Sequence, residues 1–153
     1  MKKQFNLNKL SSKFFTDFPN TNYPELEFKK NRPYVILVCK INEITFGLPF
    51  RTNVKHSLCY KFKKTTRNTN SSTGIDFTKA VVLNKSEYIG IATTIDSKEY
   101  IELDKNIIYI ISKFTHYVNS YVLYKKGNAF DKNIEHKYKY STLQYFHNEL
   151  GLE

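Results

Sequence analysis

Two neighbouring apolar runs place the strongest constraint on the fold. The first, Tyr34–Ile41 (YVILVCKI), is rich in β-branched residues and has the length of a strand that is covered on both faces. Asn42-Glu43 interrupts it, and Ile44–Phe50 resumes an extended pattern. We therefore predict an antiparallel hairpin whose pairing stops at Pro49, because proline cannot donate a hydrogen bond to a sheet.

The segment that follows this hairpin has an unusual composition. In Arg51–Ser57 (RTNVKHS) every side chain except that of Val54 can form hydrogen bonds, several are cationic and none is acidic. We predict that the rigid hairpin holds a polar, cationic loop.

The rest of the chain predicts more strands and one long helix. Asp96 and Glu99 form a capping-box pattern, and apolar residues then recur at helical spacing until Gly127. A short helix is expected after Ser11 or Ser12, and a second after Ser141. Further strands are predicted at 4–10, 58–62, 74–83 and 88–94. This order indicates one α+β domain over residues 1–153, with a mostly antiparallel sheet.

The net charge indicates a polyanionic partner. The chain has 24 Lys and Arg residues against 14 Asp and Glu residues, which gives a formal net charge of +10. The cations are spread along the chain and lie beside Tyr and Phe, a pattern that favours nucleic acid over a membrane surface. The alternative is that the lysines are ordinary solvated surface residues.

Neither a metal site nor a cofactor is predicted. Cys39 and Cys59 are far apart in the sequence and resemble reduced thiols, and the four histidines are isolated from other ligand types. The lysine-rich start lacks an apolar stretch of signal-peptide length, and no later segment has the composition of a membrane span. We expect a soluble, cytoplasmic protein.

RNA is a substrate that cations, hydroxyls and amides can cleave, because its 2′-hydroxyl is the nucleophile. In that scheme Lys55 stabilises the phosphorane, Arg32 or Arg51 clamps a phosphate, and His56 competes for the acid–base role. Thr52 and Asn53 orient the scissile phosphate, but they converge with Lys55 only if the loop is irregular. The alternative is that this segment is an ordinary turn with a solvated lysine.

A second basic run follows at 60–67, where Tyr60 and Phe62 alternate with cations. Aromatic rings beside cations can stack on unpaired bases. Together with the loop, this run gives the set expected to bind RNA: Arg51, His56, Ser57, Tyr60, Lys61, Lys63, Lys64 and Arg67. Two other functions are compatible with the same composition: a basic module that binds RNA without cleaving it, and a protein-interaction domain.

Four motifs carry a resemblance to a known family. They are RPYVILV at 32–38, FGLPFRTNVKH at 46–56, GIDFTKAV at 74–81 and STLQYFH at 141–147. In this order they resemble the ToxN-like endoribonucleases, the toxins of type III toxin–antitoxin systems, and in particular the TenpN/CptN branch. The likeness covers nearly the whole chain.

The resemblance implies a strongly twisted antiparallel sheet surrounded by helices, similar to the plasmid-toxin ribonuclease fold. It also implies metal-independent cleavage of cellular mRNA that leaves a cyclic phosphate, and inhibition by an RNA antitoxin whose repeats fold as pseudoknots and join the toxin in a closed protein–RNA assembly. The family's active residues fall on Thr52, Asn53, Lys55 and Arg32, with Arg51 as an alternative match to Thr52. Asn53 stands where the ToxN branch has a hydroxyl residue.

Overall fold

A computed structural model describes residues 5–26, 34–67, 72–128 and 133–152. These residues form seven strands and three α-helices. The strands are β1 (Asn6–Leu10), β2 (Val35–Ile41), β3 (Ile44–Arg51), β4 (Cys59–Lys61), β5 (Gly74–Asp76), β6 (Val81–Val82) and β7 (Ile89–Ala92), and the helices are α1 (Ser12–Asp17), α2 (Ser97–Lys125) and α3 (Ile134–Tyr138). The sheet is antiparallel with the order β4-β5-β3-β2-β1-β7, and β6 also pairs with β3. An α+β fold with an antiparallel sheet is therefore confirmed.

The central hairpin forms as predicted. Asn42 and Glu43 have φ values of 52° and 67°, which is the left-handed pair that a tight two-residue turn needs. In the pairing between β2 and β3, Ile41 lies opposite Ile44 at the turn, and Ile36 lies opposite Pro49 at the other end. β3 then continues to Arg51 by pairing with β5 instead, so the strand carries the chain directly into the cationic loop.

The prediction of one continuous strand over 74–83 is wrong. The chain forms β5, then a 3-10 turn at Phe77–Lys79, then β6. Asp76 ends β5, because its carboxylate accepts a hydrogen bond from the amide of Thr78 (2.9 Å) and caps the turn. β5 lies so close to β4 that a Cβ on Gly74 would stand 2.3 Å from the backbone oxygen of Tyr60, and only glycine fits there.

The long helix is confirmed at α2, and its ends follow the predicted signals. Asp96 accepts hydrogen bonds from the amides of Lys98 and Glu99, and Gly127 follows the helix with a φ of +78°. The predicted final helix is shorter than expected. Only Thr142–Tyr145 is helical, as a 3-10 turn that the Ser141 hydroxyl caps, and turns follow it.

α2 packs its apolar face on the sheet. The Phe114 ring is fully buried, with its centroid 5.1 Å from that of Phe46 on β3 and 5.3 Å from that of Phe77. Cys39 and Cys59 are free and buried, and burial raises the pKa of Cys39 to about 12. Within the described ranges, no helix combines the length and apolar character needed to cross a bilayer.

Phe114→Ala should lower the free energy of unfolding by about 3–5 kcal/mol, because it leaves a cavity between α2, β3 and the 3-10 turn. Tyr109→Ala is the matched control on the same helix, since the Tyr109 side chain is 58% exposed. We expect a change of at most about 0.5 kcal/mol for the control in urea titrations followed by circular dichroism. Similar losses in both variants would contradict this packing of α2.

Candidate functional site

The cationic loop leaves β3 irregularly and is fixed at its middle. Asn53 has a φ of 61°, which turns the chain out of the strand direction. Val54 is buried, and its amide donates to the backbone oxygen of Ser72 (2.9 Å). The loop is therefore anchored at Val54, between two groups of polar residues, and the Lys55 side chain is exposed.

A buried carboxylate organises the far side of the loop. Asp76 is 3% exposed and accepts hydrogen bonds from the amide and hydroxyl of Thr78 at 2.9 and 2.6 Å. Its Oδ1 also lies 3.1 Å from Nε2 of His56, and its Oδ2 lies 3.6 Å from Nη1 of Arg51. One acid from β5 thus orients two predicted RNA-binding side chains, although the loop itself contains no acid.

Both ring nitrogens of His56 are engaged. Nδ1 accepts a hydrogen bond from the amide of Leu58 (3.0 Å), so the proton of the neutral ring is on Nε2, which lies 3.1 Å from Oδ1 of Asp76. This arrangement fixes one tautomer and one ring orientation. Proton transfer by His56 would require one of these bonds to break, which makes it a weaker candidate for the acid–base role than its position in the sequence indicated.

A cleft of about 1150 Å³ opens beside the loop; we call it the loop cleft. Its described lining carries four Lys or Arg side chains, two histidines and two acids: Arg51, Lys55, Lys79, Lys137, His56, His136, Glu25 and Asp76. Both acids are engaged, since Glu25 accepts a hydrogen bond from the Tyr145 hydroxyl and Asp76 is bonded as described above. The cleft therefore presents excess positive charge to any ligand.

The predicted site residues distribute unevenly around this cleft. Asn53, Lys55 and Ser57 line it together with Arg51 and His56. Thr52 is exposed and is absent from the lining, and Arg32 lies outside the described residues. Lys55 is exposed and forms no hydrogen bond or ion pair with any other residue that the structure describes. Its ammonium group is thus available to a phosphate.

Besides Glu25, four charged or histidine residues of this cleft were missed in the sequence: Asp76, Lys79, His136 and Lys137. The first two lie in the motif GIDFTKAV, which was noted for its resemblance but was given no role in the site. The other two lie in or beside a basic connector in which α3 forms. Only the tertiary fold brings these segments to the loop.

The second basic run is docked on the first two turns of α2. The Glu102 carboxylate accepts hydrogen bonds from the Tyr60 hydroxyl (2.5 Å) and from the amides of Lys63 (2.9 Å) and Lys64 (3.1 Å). Burial, reinforced by Glu102, raises the pKa of Tyr60, so this phenol stays protonated and donates. The backbone that carries the lysines is therefore fixed, while their side chains are exposed.

Arg67 is held by a buried acid. Its Nε and Nη2 donate to Glu99 at 3.0 and 2.9 Å, and the Thr65 hydroxyl donates to the same carboxylate at 2.7 Å. Glu99 is 1% exposed. The sequence assigned Glu99 to a capping box with Asp96, but its carboxylate binds this segment instead. Asp96 binds the amide and hydroxyl of Thr66 as well, and the Thr66 hydroxyl is the main group that lowers the pKa of Asp96.

Among the residues that the structure describes, no group of three or more His, Cys, Asp or Glu side chains is arranged to hold a metal ion. No protein-family model matches the chain, and neither a curated protein nor a solved structure matches it significantly.

Two adjacent loop residues should respond differently to truncation. His56→Ala should lower the free energy of unfolding by roughly 1–2 kcal/mol, because the Leu58 amide and the buried Asp76 carboxylate both lose a partner. Lys55→Ala removes an exposed side chain and should change the free energy of unfolding by at most about 0.5 kcal/mol. Denaturant unfolding of the two variants checks this, and equal effects would show that His56 does not brace the loop.

Arg67→Ala should destabilise the protein by about 3 kcal/mol, because the buried Glu99 carboxylate loses its charge partner. Lys64→Ala, three residues earlier and exposed, is the control and should change the free energy of unfolding by at most about 0.5 kcal/mol. The double variant Arg67→Ala/Glu99→Gln should recover part of the loss. Failure of this second change to recover stability, measured by urea unfolding, would contradict a charge-based role for the pair.

Proposed function

We propose that this protein is an endoribonuclease that cleaves RNA in the loop cleft. The observation that carries the proposal is the loop itself: an irregular, anchored segment that directs Lys55 and Asn53 into a cleft whose described lining has excess positive charge and no unengaged acid. Arg51 adds a charge whose position Asp76 holds. Such a cleft favours a phosphodiester backbone over a neutral ligand.

The reaction that suits these groups is transesterification. The 2′-oxygen of the substrate attacks the adjacent phosphorus, the bond from phosphorus to the 5′-oxygen breaks, and a cyclic phosphate and a 5′-hydroxyl result. The 2′-hydroxyl loses one proton and the leaving 5′-oxygen gains one. Lys55 stabilises the negative charge on the phosphorane oxygens, and the Asn53 side chain hydrogen bonds to the phosphate or ribose.

We consider two groups of the loop cleft for proton transfer, one in the cationic loop and one on α3. His56 is occupied by Leu58 and Asp76, whereas Lys55 and the exposed His136 line the same cleft. We assign the protonation of the leaving oxygen to one of these two groups. Their separate contributions can be resolved by the pH dependence of cleavage in single variants.

The biological setting that we propose follows from the motif resemblance. The protein would be the toxin of a type III system in the cytoplasm, with cellular mRNA as substrate and no metal or cofactor. Its inhibitor would be an RNA antitoxin that the toxin cuts into single pseudoknot repeats and retains in a closed assembly. The finer fold assignment, a twisted sheet with helices around it as in plasmid-toxin ribonucleases, belongs to this proposal.

The purified protein should cut a transcript that contains tandem repeats in the presence of EDTA, and the new ends should carry a cyclic phosphate. Lys55→Ala should lower the cleavage rate by roughly 100-fold or more, because it removes a charge that acts on the transition state. Lys126→Ala is the control, since Lys126 is an exposed lysine beyond the end of α2 that is not part of the loop cleft.

Intact RNA, or cleavage that Lys55→Ala leaves unchanged, would overturn the proposal. Tight, salt-dependent binding without new ends would instead identify a non-catalytic RNA-binding module. No affinity for RNA at moderate salt would indicate a protein-interaction domain.

A further inference from the structure

A second cleft, of about 440 Å³, lies between β4 and α2; we call it the lysine cleft. Six lysines line it: Lys61, Lys63, Lys64, Lys98, Lys105 and Lys113. Three come from the basic run at 60–67, in which Lys61 ends β4. The other three come from α2, at positions that the sequence did not single out as basic surface.

The charge of these lysines is not neutralised inside the cleft. The one acid among its described lining residues, Glu102, accepts hydrogen bonds from the Tyr60 hydroxyl and from two backbone amides. Lys113 donates to the backbone oxygen of Cys59 (2.8 Å). None of the other five ammonium groups forms an ion pair with a described residue. Concentrated like charges destabilise the free protein, so an anionic ligand would be bound favourably here.

The backbone around this cleft is fixed before any ligand binds. Asp96, Glu99 and Glu102 are spaced three residues apart along α2, and together they bind the segment from Lys63 to Arg67. Lys63 and Lys64 therefore project from an ordered segment. A fixed framework lowers the entropy that is lost when the lysines bind a phosphate chain.

An exposed ring lies among the lysines. Tyr109 is 58% exposed, and its centroid is 6.3 Å from that of the buried Tyr60 at an angle of 70°. Ile101, 56% exposed, lies in the same cleft. An aromatic side chain beside several cations can stack on an unpaired base, whereas bases inside a duplex are already stacked on one another.

We propose that the lysine cleft is a binding site for single-stranded RNA, separate from the loop cleft, in which lysines hold phosphates and Tyr109 stacks on a base. The proposal rests on the proposed RNA-cleaving function for its choice of RNA. Leu58 lines the loop cleft and Lys61 lines the lysine cleft, and at most roughly 10 Å of extended chain separates these two residues.

The test uses a fluorescent single-stranded RNA of mixed sequence that carries 2′-O-methyl groups throughout, so that it cannot be cleaved. Lys98→Gln/Lys105→Gln removes two charges from the lysine cleft, and Lys125→Gln/Lys126→Gln removes two charges from the other end of α2. The first variant should bind at least about tenfold more weakly, with a salt slope smaller by about 1.4, which corresponds to two lost phosphate contacts. The second should change affinity by less than about twofold.

Substitution of Tyr109 provides an independent test, because it changes the RNA affinity without changing the charge of the protein. Tyr109→Ala should weaken binding by roughly fivefold or more, and Tyr109→Phe should keep the affinity of the original protein, because stacking needs only the ring. Equal losses in the two lysine pairs, or no loss in Tyr109→Ala, would overturn the proposal. Equally tight binding of the matching RNA duplex, an acidic peptide or anionic vesicles would do the same.

Failure of this proposal can be told apart from failure of the proposed function. The binding measurement needs no catalysis, so a protein that binds through the lysine cleft but cuts nothing would overturn only the endoribonuclease assignment. Conversely, if Lys98→Gln/Lys105→Gln cuts a long unmodified RNA with an unchanged KM, the cleavage proposal survives and the second site is excluded.

Discussion

The conformation of the loop depends on the contacts of one buried carboxylate, that of Asp76. It ends β5, caps the 3-10 turn that follows, and lies within ion-pair distance of Arg51 on β3 and of His56 in the loop. A charge with so little exposure is tolerated only when donors surround it, and here three residues supply them. Because Arg51 and His56 are the charge partners of Asp76, these contacts also fix the positions of both side chains in the loop cleft.

A second buried acid repeats this arrangement at the other cleft. Glu99 binds Arg67 and Thr65, and so fixes the segment from which the lysines project. In both places an arginine satisfies a buried carboxylate, while neighbouring lysines stay exposed. The guanidinium suits this role because it can bond to a carboxylate through two N–H groups. Asp76 and Glu99 thus bond inside the protein, whereas the lysines near them leave positive charge in the two clefts.

The sequence predicted the elements that local patterns determine. The β2–β3 hairpin followed from two apolar runs and a polar break, and α2 followed from apolar spacing and an N-cap. The errors occurred where a distant partner decided the outcome. Residues 74–83 have strand composition throughout, but the side chain of Asp76 breaks the strand because it has partners in the turn and in the loop.

The site was predictable to the same extent. The cationic loop was visible as a run without acids, but its acid comes from a strand more than 15 residues away in sequence. Glu99 was assigned to a cap because its spacing from Asp96 fits a local rule, whereas its actual partner Arg67 is 32 residues earlier. Sequence spacing identifies the partners that a residue can bind within a few positions. It does not identify a partner that is distant in sequence and becomes a neighbour only in the folded protein.

These contacts also constrain the proposed chemistry. An imidazole acts as a proton donor and acceptor in turn only if one of its nitrogens can exchange protons with the substrate. In His56 both nitrogens face the protein, so its contribution is to position the loop through Asp76 and Leu58. The group with no such commitment is its neighbour Lys55, which is exposed at the cleft. The two adjacent residues therefore have different roles: His56 contacts the protein and fixes the loop, whereas Lys55 is available to bind the phosphate.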